Sequence, residues 1–385
     1  MRISLIHGIC VRNDAISNAI ADQLQWLRGA GHDVHLYAYA CDRPELQCQL
    51  VHTLSDVAFD AHFQHSEVVI FHFGIYYPLF DLIPVVPRRA RRLVAFHNIT
   101  PKQFVAEAQH ATIDRSFRQM ANIAFADHVL CDSVSNQAVL RAAHIDTPAT
   151  VLPLAVACAP QALAHKPSAD DGIIRLAFIG RLVESKGPHD LIAALRRVLE
   201  RGPRGQRLTL DVIANLGFSD PALVDMVREA AAALPGLFGE RISVRLHGDA
   251  TEALKQRVLA EADLFVLPTR HEGFCVPIVE ALGSGCKVIT YANSNTPAIS
   301  GGHAHLLPSG DGDALASALA NAIAHIAAPA WRAAGPGGYL AYAQQTWEYV
   351  QLYAPATIRQ RFLDLITQLA RFPAPQPGRA SRGND

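Results

Sequence analysis

The sequence predicts an α/β protein made of two doubly wound, Rossmann-like domains with parallel sheets. Three observations carry that prediction. Short β-branched apolar runs alternate with longer helical stretches through most of the 385 residues. The runs are apolar throughout instead of alternating with polar residues, as strands covered on both faces must be. The rhythm lapses once, over ACAPQALAHKPSADDG (157–172), and then restarts. At about 100–200 residues per domain, the length also suits two domains.

In the first half, strands are expected at Ile3–His7, Val34–Tyr39, Val68–Phe73, Leu93–Phe96 and Val129–Cys131. The clearest helix is Ala15–Gly29, where Ile20, Leu24 and Leu27 share a face and Gly29 and Gly31 offer a left-handed C-terminal residue. After the linker, strands are expected at Arg175–Ile179, Leu208–Ala214, Ser243–Leu246, Leu264–Leu267 and Lys287–Thr290. Helices follow near His189–Arg201, Pro221–Leu234, Thr251–Ala262, Pro277–Gly283, Asp313–Ile326 and Ala356–Arg371. The domains are thus 1–160 and 173–345, with helices over 346–371. The tail FPAPQPGRASRGND is Pro/Gly/Arg-rich, so 372–385 is expected to be disordered.

Composition excludes several function classes. Half of the residues are hydrophobic, enough for packed cores, and 34 Lys plus Arg against 35 Asp plus Glu leave a formal charge of −1. That balance offers no general attraction for nucleic acid or an anionic surface. The seven cysteines include no CxxC pair and read as buried reduced thiols. No signal peptide and no membrane-length apolar run is seen, so the expected location is cytoplasmic.

Ligands in doubly wound folds bind where strand ends open. Two strand-to-helix loops carry chemistry there. In LAFIGRLVESKG (176–187), Gly180 allows close backbone approach, and Arg181 and Lys186 flank a helix entry. Two cations beside free helix N–H groups suit a diphosphate. In DLFVLPTRHEGFCVPIVE (263–280), Glu272 lies in the loop and Glu280 early in the helix after it. A carboxylate so placed accepts two hydroxyl hydrogen bonds, as a sugar or ribose diol offers. A surface-loop reading explains Glu280 poorly, since Ile278, Val279, Ala281 and Leu282 surround it.

These residues resemble the retaining nucleotide-sugar glycosyltransferases of family 4, which have the GT-B fold. HEGFCVPIVEALGSGCKVIT matches the family's paired glutamates, and AFIGRLVESKGPHDLIAAL its phosphate segment. AFHNITPKQF, HVLCDS, TVLPLAV and, near the C-terminus, TWEYV fall in the family's order. The resemblance implies two domains facing each other across a cleft, with the C-terminal helices crossing back to the acceptor-side first domain. It implies that Arg181 and Lys186 bind the donor diphosphate, that Glu280 holds the ribose hydroxyls, and that Glu272 contacts the transferred sugar. The N–H groups of Phe274, Cys275 and Val276 would meet the sugar or distal phosphate, and His97 would contact the sugar near the reacting carbon. Two departures stand out. Cys275 occupies a place where glycine is common, and HGICVRNDAISN lacks the usual Gly-Gly near the acceptor site.

The expected activity is hexosyl transfer with retention in cell-surface polysaccharide or lipopolysaccharide synthesis. The resemblance gives a mild preference for mannose on GDP over UDP-sugars, and for a glycan or lipid-linked glycan acceptor. No metal or further cofactor is expected, because Asp311-Gly312-Asp313, the one Asp-x-Asp, opens a helix and reads as its cap. Asp14 is open between capping the first helix and binding the acceptor. The run PRRARR (87–92) is either a solvated strand entry or a peripheral contact with an anionic membrane. A nucleotide-sugar-binding protein without transfer activity, and another GT-B enzyme such as an epimerase or phosphorylase, are the competing readings.

Overall fold

The computed structural model describes residues 1–12, 14–202, 205–333 and 335–371. The expected tail, 372–385, and Asn13 lie outside them. Two units separate: Met1–Ile99 and Glu107–Ala155 with the chain from Ala356 onwards, and Thr100–Ala106 with Val156–Pro355. Each is built on a parallel sheet.

Unit 1 contains β1 (Arg2–Ile6), β2 (Ile9–Cys10), β3 (Asp33–Ala38), β4 (Ala40–Cys41), β5 (Gln49–Leu50), β6 (Val68–Phe73), β7 (Arg91–Phe96), β8 (His128–Cys131) and β9 (Ala149–Val151). Its seven-stranded sheet runs β5-β3-β1-β6-β7-β8-β9, and β2 and β4 form a separate pair. All of β6, VVIFHF, is buried, as its lack of alternation requires. The helix Ala15–Gly29 turns Ile20, Leu24 and Leu27 onto Ile3, Leu5, Val34 and Leu36. Asp14 is its N-cap, accepting from Ser17 N at 2.8 Å. The C-terminal helix Pro355–Arg371 closes this core with Ile358, Phe362 and Ile366, and Phe362 meets Trp26 at 5.9 Å between ring centroids.

Unit 2 contains β10 (Ile173–Ile179), β11 (Arg207–Ala214), β12 (Ile242–Gly248), β13 (Leu264–Leu267), β14 (Lys287–Tyr291) and β15 (Ala304–Leu307). Its six strands run β12-β11-β10-β13-β14-β15. Chain order therefore reverses between β10 and β13, the switch point at which such sheets bind ligands.

Every expected strand is present within about two residues. The structure adds β9, β15 and the two-residue strands, which are too short or too mixed to show a period. Helix Pro221–Phe238 runs through Pro235, where a stop was expected. The Ala/Pro-rich stretch 157–172, expected as a loose linker, is bonded into unit 2. Trp347 Nε1 donates to Ala159 O (2.8 Å), and the buried Lys166 ammonium donates to Leu259, Ala260 and Ser284 carbonyls at 2.8–3.0 Å. Composition missed this because one lysine filling three helix-end acceptors outweighs the weak local propensity around it.

The basic run also divides. Arg91 is buried with Nε on Leu369 O (3.0 Å), and Arg92 pairs with Asp127. Only part of it therefore remains for a membrane surface. Among the described residues no helix is long and apolar enough to cross a membrane.

Candidate functional site

The two chemistry-bearing loops meet because β10 and β13 are adjacent and parallel, with Leu176 opposite Leu264 and Ala177 opposite Phe265. Their carboxyl ends point the same way, so loops whose Lys186 and Glu272 are 86 residues apart in sequence leave the sheet side by side. Backbone bonds then join them: Arg270 N and Thr269 Oγ1 both donate to Ser185 O, at 2.7 and 3.0 Å. Gly187, at φ +64°, ends the first loop and begins helix Pro188–Arg201. A Cβ there would stand 2.3 Å from Pro268 O, so the close approach of the loops demands glycine.

At this junction Lys186 Nζ meets Glu272 Oε1 at 2.5 Å. Glu272 is buried and also faces the Cys275 thiol, which burial first and the Glu272 charge second push far above the ordinary thiol range. Gly180 borders Lys186, whose Cγ would lie 3.9 Å from a Cβ added at Gly180, an ordinary contact. The protein's own packing therefore does not demand glycine at this position. Arg181 is exposed at the end of β10 and its side chain has no ion-pair partner among the described residues. Its charge is uncommitted.

Cys275 is the N-cap of helix Val276–Gly283, with φ +81° and ψ +65°. This left-handed conformation costs an L-residue about 1–2 kcal/mol and is natural to glycine. The departure seen in the sequence is therefore a strained cysteine in a glycine-type turn, held by burial and by Asn295 Nδ2 on Phe274 O (2.9 Å). Beyond it Ile278 N donates to Cys275 O at 3.2 Å, Pro277 in the first turn has no N–H, and the Val276 N–H has no acceptor within the helix.

Glu280 stands four residues after Val276 and shares its face of the helix. Its side chain is 11 % exposed and meets Lys255 Nζ at 2.5 Å, while Lys255 also reaches Glu252 at 3.0 Å. Burial raises the Glu280 carboxyl above the ordinary glutamate value, with Lys255 opposing the rise. Burial works to lower the Lys255 ammonium, but Glu280 and Glu252 together outweigh it and the net shift is upward. The partner that the buried acid requires is therefore Lys255, on helix Glu252–Glu261. Sequence reasoning missed it, and its signal was only that Glu280 lacked a cation nearby in sequence. His271 was also missed. Its ring packs on Phe104 (5.7 Å between centroids), and its Nε2 is buried without a hydrogen-bond partner among the described residues.

His97 lies in unit 1, after the end of β7, in a buried network in which His72 Nε2 lacks a hydrogen-bond partner among the described residues. Its Nδ1 is 2.8 Å from Asp132 Oδ2 and its Nε2 3.0 Å from His72 Nδ1. His7 Nδ1 bonds His72 O at 2.9 Å. Burial holds His72 well below the ordinary histidine value and lowers His7 to about 4, so both are neutral near pH 7. Both ring nitrogens of His97 are thus engaged. Asn98 follows at φ +70°, with its side chain accepting from Ile99 N. Asp311 caps helix Gly312–Ala327, accepting from Ala314 N at 2.9 Å.

Residues 174–325 match the family described as Glycosyl transferases group 1. A glycogen synthase of Alkalilimnicola ehrlichii is 32% identical over 193 residues, 46% of this chain and 36% of that protein. The chain thus spans about a third of that relative's length. Sucrose-phosphate synthase from Thermosynechococcus elongatus superposes with a TM-score of 0.69 at 19% identity, covering 95% of this chain and 98% of that one. A structure described as trehalose-6-phosphate from E. coli bound with UDP-2-fluoro glucose gives 0.67 at 13% identity, covering 97% and 99%. The chain has the GT-B fold of these neighbours, and the loops carrying Arg181, Lys186, Glu272 and Glu280 fall inside the stretch that matches group 1 glycosyltransferases.

Proposed function

We propose that the protein transfers a hexosyl group from a nucleotide-sugar donor to an acceptor hydroxyl, with retention of configuration. The observation that carries this is the meeting, at the unit-2 switch point, of Lys186 and Glu272 just before the amino end of helix Val276–Gly283, with Arg181 exposed at the start of the loop that carries Lys186. A nucleoside diphosphate leaves as an anion, and these groups supply what that anion needs: guanidinium, ammonium and unsatisfied N–H groups. Arg181 and Lys186 take the diphosphate. The N–H groups of Phe274, Cys275 and Val276 take the distal phosphate or the sugar. When phosphate claims Lys186, Glu272 is released to accept sugar hydroxyls, and Glu280 takes the ribose diol. No step requires a metal, since the chain's own cations meet the developing charge.

His97 is assigned to the donor sugar by resemblance alone, and its Nε2 would have to exchange His72 for a sugar hydroxyl to make that contact. The donor sugar is better sought among glucosyl nucleotides than as GDP-mannose. The support is a glycogen synthase relative and a fold neighbour described with UDP-2-fluoro glucose. A glycan is the acceptor class that such relatives suggest, and membrane contact gains nothing from the divided basic run.

Thermal melts with UDP-, GDP- and ADP-sugars identify the donor, because a ligand of the folded state raises Tm by mass action. Glu272→Gln should then lose transfer while keeping nucleoside diphosphate affinity. A chain that binds a donor but shows neither transfer nor slow donor hydrolysis with any acceptor would be a binding protein.

A further inference from the structure

We propose that Asp33, His35 and His62 form a binding site for a divalent transition-metal ion, zinc foremost. The site lies at the amino-terminal edge of the unit-1 sheet and does not depend on the transferase reading. Arg2 and Asp33 are paired at the starts of β1 and β3, whereas His7 and His97 follow the opposite, carboxyl ends of their strands.

Asp33 and His35 are two residues apart on β3 and so share one face of the sheet. His62 reaches that face from the short helix Ala61–Gln64, whose start is fixed by Asp60 accepting from His62 N and Phe63 N. One ligand atom from each of the three residues lies within 4.8 Å of the other two. His62 Nε2 is 3.6 Å from Asp33 Oδ1. Ligands about 2.0 Å from a tetrahedral ion stand about 3.3 Å apart, so this edge needs little closing.

The surroundings are arranged as those of a ligating histidine. His62 Nδ1 is bonded to Ser4 Oγ (3.2 Å), itself held by Ser66 Oγ (2.9 Å), which leaves Nε2 turned toward the carbonyl and carboxylate of Asp33. Arg2 Nε takes the other carboxylate oxygen, Oδ2, at 3.3 Å, so Oδ1 remains for the ion. His35 Nδ1 is buried with no hydrogen-bond partner among the described residues, a vacancy that a protein alone rarely leaves. The His35 and His62 rings stack with centroids 3.7 Å apart and planes 4° from parallel. For both rings to ligate one ion, His35 has to rotate out of this stack. Two imidazoles and one carboxylate suit zinc, nickel or copper over magnesium or calcium, with water completing the shell.

The test uses the full chain without an affinity tag, stripped with chelator. Equilibrium dialysis against zinc should give one tightly bound equivalent, cobalt(II) should develop visible d–d bands, and zinc but not magnesium should raise Tm. His35→Gln and Asp33→Asn, both at positions that are not fully buried, should each abolish the cobalt bands, as should His62→Ala. Ser4→Ala should weaken zinc about 10–100-fold by freeing the His62 ring. Zinc stoichiometry and cobalt spectra unchanged in His35→Gln and Asp33→Asn would overturn the proposal, as would a wild-type chain that takes up no zinc.

Discussion

At the switch point of unit 2, two lysine–glutamate pairs stand with their lysines 17 and 21 % exposed; after the strand ends of unit 1, His97 and Asp132 are 3 and 8 % exposed and bonded to each other. The first arrangement can exchange partners. On the function proposed above, an incoming phosphate would take Lys186 and incoming hydroxyls Glu272, so that neither charge of that pair is left alone. The second cannot open without leaving buried ring nitrogens unpaired, which costs about 1–3 kcal/mol for each group. Charge is thus kept in ion pairs near the surface of unit 2, while unit 1 keeps the buried His97–Asp132 pair beside His72 and His7.

The largest effect expected on this comparison comes from Lys186→Met. It strands the buried Glu272 carboxylate and should lower stability by about 3–5 kcal/mol in urea denaturation. A loss below about 1 kcal/mol would mean that Glu272 is well solvated, and the contrast between the units would fail. Next, Gly187→Ala forces a Cβ against Pro268 O at positive φ, and should cost about 2 kcal/mol while separating the two loops. Wild-type nucleotide affinity in that variant would show that the loops need not touch.

A smaller effect concerns pH. The Glu280 carboxyl titrates above the ordinary glutamate value because it is buried, and once neutral it would lose the diol contact proposed for it. Nucleotide affinity should therefore fall on acidification with a midpoint above the ordinary value. Lys255→Met removes the opposing charge, so the midpoint should move to still higher pH, read by calorimetric titration at several pH values. A midpoint unmoved by the substitution would detach Lys255 from the site. The smallest effect is at Cys275. Both Cys275→Gly and Cys275→Ala delete the thiol, but only alanine keeps a Cβ at φ +81°, so the glycine variant should be more stable by about 1 kcal/mol. Equal melting curves would remove the strain.

The same contrast explains what could be read from residues alone. Strands such as Val68–Phe73 and Leu264–Leu267 were legible to the residue because a doubly covered strand is an uninterrupted apolar run. The placement of Arg181 and Lys186 in the loop after β10, and of Glu272 and Glu280 in the loop and helix after β13, was legible because each follows an apolar strand at a short offset. Lys255 was not, since its pairing with Glu280 spans two helices and leaves no local pattern. Nor was the commitment of His97 to Asp132 and His72, which three separate strands bring together. Lys166 misled in the opposite direction: a Pro/Ala-rich stretch hid one buried cation that fixes it in place.

The central claim is that unit 2 grips a diphosphate with Arg181 as its uncommitted cation. Calorimetric titration of the best-binding nucleoside diphosphate and of its parent nucleoside, against wild type and Arg181→Ala, tests it directly. The account predicts diphosphate affinity at least about tenfold weaker in the variant, the equivalent of a lost charged hydrogen bond, with nucleoside affinity and folding stability unchanged. Equal diphosphate affinity in the two proteins would contradict it.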